Sequence, residues 1–296
     1  MEQARSIHQT ITDSIVNAIE NGAAGDWQMP WHQGAAIARP LNVETGRRYS
    51  GINVLALWAA SQNFGFSSGV WGTFRQWKNV GASVRKGAKA SNIVFSKTIA
   101  VDDDEAEVGE SQPVSRPRFI AKATPVFSAD QVDGWSEPAP EIKSPAEIDE
   151  HAEGIIQATS ARIESGGSRA CYVPSLDLIR MPDRRAFNGT PTSSPTEAYY
   201  STLFHELTHW TAPAHRCDRD MSGSFGSEKY AIEELVAELG AAFLCADIGI
   251  NSAPRADHAD YIASWLKCLK ADNRAVFKAA AQASKAAAFI VQKAPG

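Results

Sequence analysis

The stretch that decides the fold of the second half of the chain is SPTEAYYSTLFHELTHWTAP, residues 194–213. Ser194 is a typical helix N-cap, Pro195 suits the first helical position, and Glu197 can reach back to complete a capping box. The local pattern therefore predicts a helix that begins at Pro195 and runs through both histidines of the stretch.

This helix places two histidines one turn apart, with a glutamate directly after the first. His205 and His209 are spaced i and i+4, so both imidazoles lie on one helical face and can reach a single cation. Glu206 lies about 100° around the helix, beside the cation rather than on it. In zinc hydrolases with this His-Glu-x-x-His pattern, the glutamate takes the proton from the attacking water. The predicted cofactor is one Zn²⁺ per chain, with another divalent ion such as Mn²⁺ as the alternative, and Glu206 is the predicted catalytic base.

A third protein ligand is expected, because catalytic zinc sites generally use three and leave a fourth position open. The segment SEKYAIEELVAELGAAFL, residues 227–244, predicts a helix that carries Glu233, Glu234 and Glu238. Its acids resemble those of thermolysin-like zincins, which implies Glu234 as the metal ligand and Glu238 as the residue that orients a ligand histidine. The exchanged assignment stays open, as does an ordinary helix with surface histidines and solvated glutamates. Four side chains are candidates for the donor to an oxyanion: Tyr199, Tyr200, Tyr230 and His215.

Charge is distributed unevenly along a chain whose net charge is -5. Residues 39–97 contain nine Lys or Arg and one acid, whereas residues 102–110 contain six acids and no base. A locally basic segment indicates an anionic partner for that segment alone, because like charges repel until a counter-charge arrives.

Aromatic side chains alternate with the cations in GVWGTFRQWKNVGASVRKGAK, residues 69–89. Proteins that bind nucleic acid without reading its sequence combine cations for phosphates with rings on which bases stack, which favours single strands. A spacing of three among the rings also suits helix packing, so most of them are expected in the core. The candidate DNA-binding residues are Arg47, Arg48, Trp71, Phe74, Arg75, Trp77, Lys78, Arg85, Lys86 and Lys89.

The pattern of elements predicts an α+β fold with two domains. Isoleucines every four residues from 7 to 19 indicate a first helix, residues 50–65 a second, and residues 83–101 and 118–132 two strands. The acidic connector at about 101–116 is predicted to be a disordered loop. We expect a DNA-binding domain over 1–135, a proline-bearing linker over 136–147, and a mostly helical domain over 148–296 with a small sheet.

The four cysteines lie far apart without a Cys-x-x-Cys pair, which argues against a thiolate zinc site and a disulfide scaffold. The first residues lack the basic-then-apolar layout of a secretion signal. No apolar run approaches the roughly 20 residues that cross a bilayer. These features predict a cytoplasmic protein without a membrane partner.

Several stretches resemble one known family. Residues 11–22, 40–58, 84–95 and 126–135 are similar to the N-terminal domain of the ArdC antirestriction family, which is shared with the start of plasmid conjugative primases and binds single-stranded DNA. Residues 177–187, 205–220, 230–250 and 261–287 resemble the zincin-like metallopeptidase domain and helical end of that family.

The resemblance implies a plasmid-borne protein that either enters the recipient cell with the conjugating DNA or acts on that DNA after transfer, and that shields it from host restriction. It implies His205, His209 and a glutamate of EELVAE as metal ligands, with Glu206 as the base. A host protein or peptide is the candidate substrate, and the resemblance identifies no particular one. The alternative is a DNA-binding protector whose metal site is structural or not needed for antirestriction.

Overall fold

The computed structural model describes residues 9, 11–13, 15–16, 20, 38–101, 116–136, 144–189, 193–224, 226–250 and 258–293. Most of the predicted acidic loop and of the predicted linker lies outside these residues, as do Ile7 and Ile19. The residues described between 9 and 20 are helical, and Ile11 and Ile15 are buried there, as their spacing predicts.

The first half of the chain forms a four-stranded sheet of order β1-β2-β5-β4 that packs against one long helix. A separate pair joins β3 to β6. The elements are β1 (Leu41–Asn42), α1 (Ile52–Phe64), β2 (Val70–Gly72), α2 (Phe74–Asn79), β3 (Ser83–Val84), β4 (Ser91–Val101), β5 (Arg116–Ser128) and β6 (Val132–Asp133). The two strands predicted from the sequence are confirmed as β4 and β5, which pair antiparallel over eleven residues of β4.

The second half is mostly helical and contains a three-stranded sheet of order β7-β9-β8. Its elements are α3 (Pro145–Thr159), β7 (Arg162–Ser165), β8 (Cys171–Val173), β9 (Leu178–Met181), α4 (Pro195–Trp210), α5 (Glu228–Ile248), α6 (His258–Ala271) and α7 (Ala275–Val291). Capping boxes at Ser144 and Ser194 begin α3 and α4. The α+β fold is therefore confirmed, and α3 begins within the segment predicted as linker.

The two halves share one hydrophobic core. A single cluster of buried residues contains Leu55 and Trp58 of α1 together with Phe243 of α5. The rings of Trp58 and Phe243 lie 5.7 Å apart. Nearby, Arg39 donates to Asp247 at 2.9 Å, and Arg48 binds the same carboxylate. The end of α5 is thus tied to the first half by both apolar and ionic contacts. Among the described helices, none has the length and apolar character of a membrane span.

Close packing of α4 against α5 sets the position of the site. A Cβ atom on Gly240 would lie 2.5 Å from Oγ1 and 2.6 Å from Cγ2 of Thr208. Only glycine allows the two helices to approach this closely. Thr208 is close along α4 to the two histidines, and Gly240 is close along α5 to the acids. Their contact therefore holds those side chains within reach of each other.

Candidate metal centre

The two histidines of α4 point their Nε2 atoms toward a common point. The predicted capping box is present, with Glu197 N donating to Ser194 Oγ at 3.2 Å. His205 and His209 are both buried. Their Nε2 atoms lie 3.1 Å apart. The imidazoles therefore converge as the i, i+4 spacing predicts.

A carboxylate of α5 completes a set of three ligand side chains. Glu234 Oε2 lies 3.4 Å from His205 Nε2, and Glu234 Oε1 lies 3.6 Å from His209 Nε2. Ligand atoms about 2.0–2.1 Å from a tetrahedral ion are separated by about 3.3 Å. The distances among these three side chains agree with that separation, so the donor set fits a single divalent cation. All ligand atoms of the set lie within 4.8 Å of one another.

Each histidine is held at its other nitrogen by a second carboxylate. Glu238 Oε1 lies 3.0 Å from His205 Nδ1, and Glu233 Oε1 lies 3.1 Å from His209 Nδ1. A carboxylate acceptor at Nδ1 keeps the proton on that nitrogen and leaves the Nε2 lone pair free for a metal. Glu238 thus lies where the resemblance to zincins implies, and Glu233 supports the second histidine.

The role of Glu233 was not predicted from the sequence. It is fixed in turn by Arg219, which donates to Oε2 at 3.0 Å through Nε and to Oε1 at 2.8 Å through Nη2. The sequence contains one indication of this role. If one of the three neighbouring acids binds the metal, the other two leave a supporting carboxylate for each of the two histidine rings. The contribution of Arg219 carries no such local signal.

Glu206 projects into the same site from the adjacent face of α4. Its Oε2 accepts a hydrogen bond from the backbone N–H of Tyr172 in β8 at 2.8 Å, and the side chain is buried. The strand β9 is central in its sheet, between β7 and β8, so the edge strand beside Glu206 is β8.

A cavity of about 230 Å³ opens over the three ligand side chains. Glu206, Cys171 and Tyr230 line it together with His205, His209 and Glu234. Among the four oxyanion-donor candidates, Tyr230 is the one in this lining. Tyr200 instead hydrogen-bonds Glu153 at 3.0 Å, and its ring contacts Tyr199. His215 is exposed.

The electrostatics of the site favour an ionised ligand carboxylate. Burial acts to raise the pKa of Glu234, but hydrogen bonds with His205 and Tyr230 and the charge of His205 and His209 outweigh it and hold the pKa at about 2. A carboxylate that stays charged in a buried place suits a cation, since an unpaired buried charge is costly.

The predicted DNA-binding rings separate into buried and exposed side chains. Trp71 and Trp77 are both 0% exposed, so these two do not serve as the DNA-binding residues predicted above, and the expectation that most of the rings lie in the core is confirmed. Both rings belong to the core instead, Trp71 from the strand β2 and Trp77 from the helix α2, and Trp77 Nε1 donates to the carbonyl of Phe127 at 3.0 Å. Phe74 remains 59% exposed. Phe95 on β4 is 67% exposed and was not predicted; it lies opposite Lys122 of β5.

The predicted cations all lie at the surface. Exposed side chains belong to Arg47, Arg48, Arg75, Lys78, Arg85, Lys86 and Lys89. Arg48 binds Asp247, as described above, and Arg85 donates to Asp133 at 2.8 Å. The pair formed by Arg85 is exposed on both sides and therefore contributes little to stability, so it can be replaced by a phosphate contact.

Two protein families match successive parts of the chain. Residues 5–127 match the N-terminal domain of the anti-restriction factor ArdC. Residues 150–282 match a zincin-like metallopeptidase family. The second match contains all of the ligand and supporting side chains described above.

Relatives of known sequence or structure match almost the whole chain. An uncharacterised protein of Sinorhizobium fredii, y4eC, is 42% identical over 286 residues, covering 96% of this chain and 91% of its own. A DNA primase TraC of Escherichia coli is 37% identical, and the match covers 98% of this chain but only 20% of the primase. The crystal structure of metal-free antirestriction protein ArdC from plasmid R388 superposes with a TM-score of 0.79 at 34% identity, covering 98% of both chains. Its Mn(II)-bound structure gives a TM-score of 0.73 with the same identity and coverage.

Proposed function

This chain belongs to the ArdC antirestriction family, and from that premise we propose that it binds single-stranded DNA, protects incoming conjugative DNA from host restriction and carries a zinc peptidase site. The observation that carries the peptidase part is the convergence of His205, His209 and Glu234 beside Glu206. The site of action is the cytoplasm, including that of a recipient cell into which the protein passes with the DNA.

The side chains of the site have the roles that peptide hydrolysis requires. A divalent cation, when bound, polarises the scissile carbonyl and acidifies an attacking water. His205, His209 and Glu234 would hold that cation, and Zn²⁺ is the proposed ion. Glu206 accepts the proton of the water, with its carboxylate oriented by the N–H of Tyr172 at 2.8 Å. Tyr230 lines the cavity and is the proposed donor to the oxyanion.

The number of protein ligands favours catalysis over a purely structural ion. Structural zinc is generally surrounded by four protein ligands, whereas catalytic zinc has three and an open position. Here the described residues supply three ligand side chains, and a cavity of about 230 Å³ lies against them. Glu206 is buried next to this cavity without taking part in the ligand set, which is the position of a base.

Exposed cations and rings of the first half support binding of single strands. Phosphates attract the exposed Arg and Lys side chains whatever the sequence of the DNA. Phe74 and Phe95 are large aromatic rings exposed near these cations in the chain, and unpaired bases can stack on such rings. The pairing of Phe95 with Lys122 across β4 and β5 places a ring and a cation side by side.

Replacing Glu206 with Gln tests the proposal. The amide keeps the size of the side chain but cannot accept the proton, so metal content should stay near that of the wild type while any peptide hydrolysis is lost. Plasmid transfer into a restricting recipient then shows whether hydrolysis serves protection. Loss of protection supports the proposed function, and full protection by the variant shows that the protein acts through DNA binding alone.

A matched variant keeps the test specific to the base. Glu234→Ala removes a metal ligand and should lose both metal and hydrolysis, whereas the Glu206 variant should lose hydrolysis alone. Elemental analysis of both purified proteins distinguishes these outcomes. If neither wild type nor Glu206→Gln binds a divalent ion, the peptidase part of the proposal is wrong.

A further inference from the structure

Arg219 connects the end of α4 to the acids of α5. Its side chain is 4% exposed and makes a two-point contact with Glu233, at 3.0 Å to Oε2 and 2.8 Å to Oε1. The same guanidinium donates to the carbonyl of Thr208 at 2.6 Å and to Thr211 Oγ1 at 2.8 Å. Four hydrogen bonds from one rigid group therefore span the two helices that supply the metal ligands.

The partner of Arg219 also holds a ligand histidine. Glu233 Oε1, which accepts from Arg219 at 2.8 Å, lies 3.1 Å from Nδ1 of His209. A planar guanidinium that grips both carboxylate oxygens fixes the plane of the carboxylate as well as its position. The orientation of the His209 ring, and with it the direction of Nε2, follows from that plane.

From these contacts we infer that Arg219 is a positioning residue that sets the affinity of the metal site through Glu233 and His209. The inference rests on the proposed metal site and adds a residue that does not touch the ion. Partners of ligand histidines typically contribute 10–100-fold to metal affinity. Arg219 acts on His209 through Glu233. Without Arg219, the buried Glu233 would lose two of its hydrogen bonds and its counter-charge.

Arg216 provides a matched control from the same loop. It donates to the carbonyl of Trp210 at 2.6 Å, near the end of α4, and its guanidinium lies 4.0 Å from the centre of the Trp210 ring. Its carboxylate partner is Asp177, outside the ligand set. Loss of Arg216 removes contacts to the end of the helix much as loss of Arg219 does, but leaves the contact between Glu233 and His209 in place.

The experiment compares metal affinity in Arg219→Gln, Arg219→Lys and Arg216→Gln of the full chain. Apo protein is titrated with Mn²⁺ and followed by electron paramagnetic resonance, and melting temperature without metal measures stability. We expect Arg219→Gln to bind Mn²⁺ about 10–100-fold more weakly. Arg219→Lys should recover part of that loss, because lysine restores the charge without the two-point contact. Arg216→Gln should lower the melting temperature and keep the affinity of the wild type.

Further measurements separate positioning from general destabilisation. Because Arg219 acts through Glu233, Glu233→Gln and the double variant should bind Mn²⁺ with similar affinity rather than with the product of two losses. Co²⁺ spectra of Arg219→Gln should also differ from those of the wild type in the ligand-field bands. Wild-type affinity in Arg219→Gln, or an equal loss in Arg216→Gln, overturns the inference while the metal site stands. Absence of Mn²⁺ and Zn²⁺ binding by the wild type overturns both.

Discussion

The Nε2 atoms of His205 and His209 lie 3.1 Å apart, and a different carboxylate holds each ring at Nδ1. Because a carboxylate holds each imidazole at Nδ1, the two Nε2 atoms converge before any ion binds. Such preorganisation lowers the entropic cost of binding, since the side chains need not be ordered by the metal. It also separates the acids of α5 by position: Glu234 faces the Nε2 atoms, whereas Glu233 and Glu238 face the Nδ1 atoms.

That separation predicts different outcomes for two glutamates of the same helix. Glu234→Ala should remove a direct ligand and leave the protein without stoichiometric metal after purification. Glu238→Ala should retain the ligand set and weaken binding about 10–100-fold, because His205 loses its support. Elemental analysis followed by Zn²⁺ competition against a chromophoric chelator measures both effects. A greater loss in Glu238→Ala would mean that the two acids have exchanged roles.

Local patterns in the sequence were sufficient for the helix α4 and the convergence of its two histidines, but not for the contacts of Glu233 and Arg219. A capping box and an i, i+4 pair are complete within a short stretch, so they predict His205 and His209 without knowledge of the fold. Arg219 and Glu233 are 14 residues apart and meet across a loop, which no periodicity reveals. Burial is equally non-local: Trp71 and Trp77 have the same spacing whether they bind bases or fill a core, and the packing of helices and strands in the folded protein buries both.

The contact between Gly240 and Thr208 predicts that Gly240→Ala lowers the free energy of unfolding, although alanine favours a helix more than glycine does. Gly240→Ala would gain about 1 kcal/mol of helix propensity, but its Cβ would lie 2.5 Å from Thr208 Oγ1. Overpacking of this kind costs about 1–3 kcal/mol, so the net effect should be a lower free energy of unfolding, measured by urea denaturation. Metal affinity should fall as well, because α4 and α5 carry the ligands.

Two further variants show whether the cost comes from the contact. Gly154 lies in α3, where an added Cβ would meet no atom within 4 Å, so Gly154→Ala should stabilise the protein by about 0.5–1 kcal/mol. Thr208→Ala in the Gly240→Ala background removes both clashing atoms and should restore part of the stability. An unchanged or greater stability of Gly240→Ala alone would contradict the close approach of the helices.

The exposed aromatic rings and the exposed Arg and Lys side chains of the first half predict two different ways of losing affinity for DNA. Phe95→Ala and Phe74→Ala should each weaken binding to a single-stranded oligonucleotide by about 1–3 kcal/mol, the range for a base stacked on an aromatic ring. Leu176→Ala serves as a control, because this side chain is 52% exposed but lies in the second half of the chain. Fluorescence anisotropy measures all three, and equal affinities would exclude stacking at the two phenylalanines.

Charge reversal should act differently from loss of a ring. Arg85→Glu with Lys86→Glu should weaken binding alike for oligonucleotides of any sequence and should reduce the dependence of affinity on salt, because fewer counterions are released. Affinity of the wild type should fall steeply as salt rises. A loss confined to particular sequences, or an affinity insensitive to salt, would contradict recognition of the phosphate backbone.

Buried and half-buried tyrosines predict how the protein responds to alkaline pH. Burial raises the pKa of Tyr49, Tyr172, Tyr199 and Tyr200, and for Tyr172 burial and the neighbouring Asp177 raise it to about 12. A raised pKa means that the folded state favours the neutral phenol. The stability from these groups is therefore complete below about pH 10, the pKa of tyrosine in an unfolded chain, and is lost as pH rises through the folded values.

Tyrosinate absorbance in the near ultraviolet should show this shift directly. In the native protein, four of the six tyrosines should titrate above pH 10, and in denaturant all six should titrate near it. Asp177→Asn should bring the pKa of Tyr172 closer to the ordinary value, because the carboxylate that accepts a hydrogen bond from its hydroxyl at 2.8 Å is replaced by a neutral amide. The backbone N–H of Tyr172 also orients Glu206. Ionisation of the Tyr172 phenol at high pH should therefore loosen β8 and disturb the position of the Glu206 carboxylate. Titration of all six tyrosines near pH 10 in the folded protein would contradict the burial of these rings.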